Sequence, residues 1–251
     1  MRVNLQPAYV LHGRPYRDTS LLLEVFTAEH GRISLVGRGA RRRSRGGSSG
    51  ALLQPFIPLL LSFSGRGELK TLTATEAAAP AVLLAGERLF SALYLNELLL
   101  RLLHRNDPHP ELFAAYGEAL QALASAEQLE GVLRRFEFRL LDELGYRVDL
   151  AVDGHSGEAV REECWYTYQA DQGLVRRSGA GNPSQPAFSG ADLLRIAAGQ
   201  YDGEARPAAR RLMRQVLAGH LGSTPLKSRE LFRRSGAGHP PGSPAVTGDE
   251  R

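Results

Sequence analysis

The chain has 251 residues, 43% of them hydrophobic and 23% charged, and 31 Lys and Arg against 27 Asp and Glu leave a net charge of only +4. That length supports one large domain or two to three small ones with real cores, while a single cysteine, Cys164, excludes an internal disulfide framework and any multi-thiolate metal site. No apolar run approaches the ~20 residues that cross a bilayer and residues 1–7 hold no apolar signal core, so a soluble intracellular protein without a membrane partner is expected.

Residues 8–76 read as β structure. The runs 8–13 (AYVLHG), 21–27 (LLLEVFT), 32–37 (RISLVG), 56–63 (FIPLLLSF) and 68–75 (ELKTLTAT) are separated by turn residues. Those are Pro15 and Asp18, then Glu29, His30 and Gly31, then the glycines of 46–50, then Gly65, Arg66 and Gly67. Five short strands cannot cover both faces of an open sheet, and they point instead to a small closed barrel of the OB type. The connection 39–50 (GARRRSRGGSSG) is basic and Gly/Ser-rich, with Ala40 its one apolar residue. Such a composition predicts a segment that stays mobile until an anion orders it.

After Pro80 the period turns helical. In 87–104, Leu89, Phe90, Leu93, Leu95, Leu98, Leu99, Leu102 and Leu103 recur at helical spacing. The turn 106–110 leads to a second helix over 111–124, and a third over 129–144 stops at Gly145. Residues 146–190 are irregular, with a hairpin expected from 165–169 and 173–176. Helices resume at 189–198, 205–221 and 228–234, and 235–251 has the composition of a disordered tail. The predicted architecture is therefore an α+β multi-domain chain. A five-stranded OB-fold nucleic-acid-binding domain occupies 1–80, a helical bundle 81–234 with the irregular insert 146–190, and a tail 235–251.

The small net charge hides a segregation. Residues 31–70 carry a net +7, residues 205–234 another +7, and the stretch 71–204 between them −9. Two basic blocks around an acidic middle suit a polyanion-binding protein. Arg38, Arg41, Arg42, Arg43 and Arg45 crowd eight residues without an acid, between two barrel strands, where a loop can wrap a phosphate backbone. Arg66 and Lys70 in the next hairpin would extend that surface. Among the barrel aromatics Tyr9, Phe26, Phe56 and Phe63 sit on apolar runs and read as core, whereas Tyr16, in a turn between polar neighbours, is the best candidate for stacking on a base. Arg206, Arg210, Arg211 and Arg214 share one helical edge beside the apolar Leu212, Met213, Val216 and Leu217. That arrangement serves either a solvated core helix or capture of an acidic peptide with an apolar end.

Catalytic chemistry finds no support. His104, Asp107 and His109, and likewise Asp153, His155, Glu162, Glu163 and Cys164, match neither a paired CxxC nor an HExxH spacing. There is no nucleophile elbow and no phosphate-binding GxxxxGK[ST] loop. No catalytic residue, metal or cofactor is assigned.

Six blocks carry a family resemblance: AYVLHGRPYRDTSLLLEVFT (8–27), GRISLVGRGARRRS (31–44), LQPFIPLLLSFSGRGELKTLTATE (53–76), ALYLNELLLRLL (92–103), LRRFEFRLLDELGY (133–146) and LGSTPLKSRELFRR (221–234). In that order they resemble the RecO family of bacterial recombination mediators. The resemblance implies an N-terminal OB barrel, a helical bundle and an often zinc-binding insert. It implies an ATP-independent, non-enzymatic role in the cytoplasm at the nucleoid: binding single- and double-stranded DNA, annealing complementary strands, binding the acidic C-terminal tail of single-strand-binding protein, and working with RecR so that RecA is loaded. On this basis Arg38, Arg41, Arg42, Arg43 and Arg45 are the expected DNA-contacting loop. Arg134, Arg135, Arg211, Lys227 and Arg229 are candidates either for receiving the tail or for further DNA contacts. One departure stands out: many members carry four cysteines after the Gly-Tyr pair, but here Asp153 stands at the first expected position and Cys164 is alone. A lost zinc site is expected, with the insert held by packing and hydrogen bonds. The competing readings are an RNA-binding or ribosome-associated OB module, and a nuclease or transferase using the acids of the middle stretch.

Overall fold

Alternation along the strands puts Ala8 and Val10, Leu23 and Val25, Ile33 and Leu35, and Leu59, Leu61 and Phe63 into a single buried cluster. The structure, a computed structural model, describes residues 1–42, 49–182 and 185–236. That cluster fills a closed barrel of β1 (Arg2–Tyr16), β2 (Ser20–Thr27), β3 (Gly31–Gly37), β4 (Leu59–Ser64) and β5 (Leu69–Ala77), in the order β1-β2-β3-β5-β4. Every pairing is antiparallel except β3 with β5, where Ser34 lies opposite Leu69. This is the OB arrangement.

β1 runs well past the apolar core 8–13 at both ends. Its first half pairs with β4 (Arg2 opposite Ser64, Ala8 opposite Leu59) and its second with β2 (Ala8 opposite Thr27, Tyr16 opposite Ser20). One strand serving two partners closes the barrel, so pairing rather than hydrophobic pattern sets its ends. Irregularities between Val3 and Gln6 and between Val10 and His12 let it bend. At the second, Val10 and Leu11 are both buried, Val10 in the barrel and Leu11 outside it in the helical core.

The helical part begins with α1 (Gly86–Leu102), α2 (Pro110–Ser125) and α3 (Leu129–Glu143). Pro110 opens α2 at a position whose N–H would have no helical partner. Gly145, at φ +79°, ends α3, its N–H donating to the Asp142 carbonyl and that of Tyr146 to Leu141. The insert contains the hairpin β6 (Trp165–Gln169) and β7 (Gly173–Arg177), a ribbon of β8 (Gly181–Asn182) and β9 (Gln185–Pro186), and β10 (Phe188–Ser189) alongside β6. Then follow α4 (Gly190–Ala197), α5 (Ala205–Leu221) and α6 (Ser228–Gly236). Ser189 caps α4 by accepting from the Asp192 N–H at 3.1 Å. Glu97 of α1 does the same for α6 from a distance, accepting from the Lys227 and Ser228 N–H groups, each at 2.8 Å, and from the Ser228 hydroxyl at 2.6 Å. The tail expected from 235 gives way to helix as far as Gly236, and the rest of it lies outside the described residues.

The barrel keeps its own core, and its outer face packs into the core of the bundle. Leu11 and Phe26 pack among the helical residues, and Tyr9, Phe26, Phe113 and Tyr116 form an aromatic joint with centroid separations of 5.1–6.4 Å. Buried Asn96 spans the same joint, donating to the Leu11 carbonyl at 2.9 Å and accepting from the Tyr116 hydroxyl at 2.5 Å. The α1–α2 connection is strapped along β3: Asn106 N–H donates to the Arg32 carbonyl, and Arg105 reaches Ser34 and the Glu24 carboxylate. Gly31, at φ +61°, is required here, since a Cβ would lie 1.9 Å from the Asp107 carbonyl oxygen.

In the insert the Asp153 carboxylate accepts from the backbone N–H of His155 (2.8 Å) and Ser156 (3.1 Å) through one oxygen and from Arg176 (2.9 Å) through the other. Burial opposes ionisation of this group, but the three N–H donors outweigh it and hold the carboxyl below its ordinary range. One side chain thus ties the 153–156 turn to β7. Among the described residues, no group of three or more His, Cys, Asp or Glu is placed to hold a metal ion.

Candidate nucleic-acid interface

The basic loop leaves β3 through a fixed base. Ala40, its one apolar residue, is buried in the barrel core with Leu53. Gly39, at φ +68°, turns the chain so that the Arg42 N–H donates to the Gly39 carbonyl at 2.9 Å. Arg41 fastens the loop to the β1–β2 turn: its N–H donates to the Thr19 carbonyl at 3.0 Å and its guanidinium to that of Asp18 at 3.3 Å. With the backbone pinned on both sides, Arg38, Arg41 and Arg42 are exposed at the barrel end. Arg43 and Arg45 lie outside the described residues.

Between this loop and the β1–β2 turn lies a groove of about 620 Å³. Val36, Leu69 and Thr71 line it, with Arg17, Arg38, Arg42 and Lys70 beside them, and among the described residues no acid forms its walls. Hydrogen-bonded β1 and β2 end at this turn, and Leu21 of β2 faces Gly37 of β3, so strand register alone brings the turn and the loop together. Tyr16, half-buried, also lines the groove, and the Arg17 guanidinium lies 5.4 Å from its ring centroid. Sequence reasoning singled out Tyr16 but missed Arg17. The signal was available in RPYRDT, where one acid accompanies two arginines.

Arg66 is exposed in the β4–β5 turn, outside the groove. Lys70 is placed differently from a surface phosphate contact. It lines the groove but is only 6% exposed, and its ammonium donates to Asn106 Oδ1 at 2.9 Å, which tethers the barrel to the α1–α2 strap while leaving the charge in place.

The five candidate cations of the helical part differ in burial and in partners. Arg134 is buried, its guanidinium 2.7 Å from Glu137, which also accepts from the Tyr94 hydroxyl at 2.6 Å. Burial pushes the Glu137 carboxyl upward against the pull of Arg134 and Tyr94, and pushes the Tyr94 hydroxyl well above its ordinary value. Arg135, one residue on and about 100° around the helix, is exposed instead. It borders a groove of about 470 Å³ between α2 and α3, whose walls include Val132, Phe136, Ala119 and Ala122 together with Arg139, Glu111 and Glu118. Arg139 is engaged with Glu111 and Glu143. Arg211 is exposed on α5 with its guanidinium 5.8 Å from the Phe188 ring centroid. Lys227 and Arg229 are exposed at the start of α6, where Glu97 anchors the backbone. The cationic edge of α5 is partly neutralised, since Arg206 and Arg210 both approach Glu130, at 3.4 and 3.5 Å. The perturbed carboxyls belong to these interior ties, Glu137 in the bundle and Asp153 in the insert, and both serve structure.

Residues 1–81 match the family model described as Recombination protein O N terminal, and residues 83–230 match that described as Recombination protein O C terminal. Among curated proteins, the chain is 50% identical over 235 residues to the DNA repair protein RecO of Methylococcus capsulatus, covering 93% of this chain and 95% of that protein. It is 49% identical over 233 residues to the protein of the same name from Nitrosococcus oceani (92% and 94% covered), and 48% identical over 229 residues to that of Pseudomonas paraeruginosa (90% and 94%).

Proposed function

The chain belongs to the RecO family of DNA repair proteins, and on that premise we propose that it is an ATP-independent recombination mediator that binds single- and double-stranded DNA, anneals complementary strands, and with RecR helps RecA load onto strands coated by single-strand-binding protein. The observation that carries the reading is the groove at the barrel end, whose described walls hold no acid, with Arg17, Arg38 and Arg42 along it and Arg41 beside it. Guanidinium groups there neutralise phosphates and release condensed counterions, which supplies affinity without reading sequence. In this reading residues 1–80 hold one strand, to which Arg43, Arg45 and Arg66 add phosphate contacts, and residues 81–234 carry the partner contacts.

A second strand brought close is repelled by the first, and cations lower that repulsion so that base pairing itself drives annealing. The acidic tail of single-strand-binding protein would dock on the helical part. Of the candidates, Arg135 fits best, because it stands exposed beside the apolar Val132 and Phe136 of the α2–α3 groove. Arg211, Lys227 and Arg229 remain as further tail or DNA contacts. Docking of this kind raises the local concentration of the mediator on coated DNA. The protein then works in the cytoplasm at the nucleoid, without a cofactor.

Annealing of two complementary oligonucleotides, bare and pre-coated with single-strand-binding protein, tests this without ATP or metal. Acceleration on coated strands that disappears when the acidic tail is deleted, and falls with Arg135→Glu, supports the reading. Equal rates with and without the protein refute it. Tighter binding to RNA than to DNA of the same sequence would move an RNA-binding role ahead.

A further inference from the structure

The groove has two kinds of wall. Its cationic side suits any phosphate backbone, paired or not. Val36 and Leu69 offer a phosphate nothing, and Tyr16 offers it only a hydroxyl, yet Leu69 is 44% exposed at the start of β5. An exposed leucine and a half-buried tyrosine together in a cationic groove match a ligand with planar apolar faces next to its charges. Unpaired nucleotides have such faces, whereas a duplex hides them in its stack.

The turn that carries Tyr16 is also held in an unusual conformation. Arg17 has φ +52°, in the left-handed region, where a side chain other than Gly, Asn or Asp is rarely found. That backbone holds the guanidinium 5.4 Å from the Tyr16 ring centroid, within cation–π range, so a cation sits beside the ring where a base and its phosphate would meet the groove. The Arg41 bonds to the Thr19 and Asp18 carbonyls fix the turn against the loop, so the ring is presented on a rigid support.

We propose that Tyr16, which lines the groove with Leu69 and has Arg17 beside its ring, is a base-stacking platform that makes this groove prefer unpaired over paired strands. The proposal rests on the nucleic-acid reading above and deepens it, assigning discrimination to Tyr16 and plain affinity to the arginines.

The test compares binding of one 20-mer, single-stranded or annealed to its complement, by the wild type and by Tyr16→Phe, Tyr16→Leu and Arg42→Ala, with thermal midpoints confirming folding. Tyr16→Leu keeps apolar volume but loses the flat ring. It should weaken single-strand binding about tenfold, the loss of one base–aromatic stack, and leave duplex binding within about twofold. Tyr16→Phe should bind as the wild type does. Arg42→Ala should weaken both forms alike. In the wild type, 2-aminopurine placed along the single strand should be quenched, and Tyr16→Leu should relieve this. Unchanged single-strand binding by Tyr16→Leu, or an equal loss on both forms, overturns the platform while leaving the cationic groove in place. If the wild type binds neither form, the nucleic-acid reading fails and the platform with it.

Discussion

Removing the groove cations should change how binding responds to salt more than it changes anything else. The perturbation is Arg17→Gly, Arg38→Ala and Arg42→Ala together. All three side chains are exposed, and glycine suits the φ of +52° at position 17, so the fold should be retained to within about 0.5 kcal/mol. Each phosphate contact contributes about 0.7 to the slope of log affinity against log salt for a single strand. Three lost contacts should therefore flatten that slope by about 2. Between 50 and 200 mM salt, a slope difference of that size corresponds to a change of about 20-fold in the wild-type advantage, large at low salt and much reduced at high salt. Fluorescence anisotropy of a labelled oligonucleotide at four or five salt concentrations measures both slopes. A parallel displacement of the two lines, with the slope unchanged, would mean that these arginines do not touch phosphates and that the groove is not the DNA path.

Other consequences concern stability. Gly31→Ala would push a Cβ into the Asp107 carbonyl and strain a left-handed backbone, so a loss of more than about 2 kcal/mol is expected in urea unfolding. Arg134→Leu strands the Glu137 carboxylate in the core and should cost about 3–5 kcal/mol, most of it recovered when Glu137→Leu is added, as a double-mutant cycle would reveal. Asp153 sets a pH dependence with a definite sign. Its folded-state carboxyl titrates below the ordinary value, so its contribution is complete above about pH 4, the unfolded value, and is lost as pH falls through the folded one. Asp153→Asn should remove that acid-limb loss and lower stability at neutral pH, because an amide cannot accept all three N–H bonds. Denaturation midpoints of the two proteins between pH 3 and 7 check both points, and parallel curves would rule the tie out.

Much of this molecule is local and was therefore legible in its residues. Short runs between turn residues marked the barrel strands, though not their ends, and Pro110 and Gly145 bounded helices whose ends differ from expectation by a residue or two. Five arginines in eight residues marked the loop beside the groove before any coordinate did. Other properties depend on which residues meet across long separations, and no local pattern carries that. The parallel pairing of β3 with β5, and the two-partner role of β1, follow from barrel closure. Lys70 reads as a surface cation, and only the fold shows it 6% exposed in the groove wall with its ammonium on Asn106, 36 residues away. Arg134 and Arg135 look equivalent in sequence, yet a single step around α3 sends one into a buried ion pair and the other to solvent. Asp153, which reads as a substituted cysteine, becomes a tie only because β7 returns past it. Composition and periodicity decided what each segment could be, because propensity and amphipathicity act over a few residues. Tertiary structure decided which charges are available to a ligand, because the solvent exposure of a side chain depends on everything folded around it.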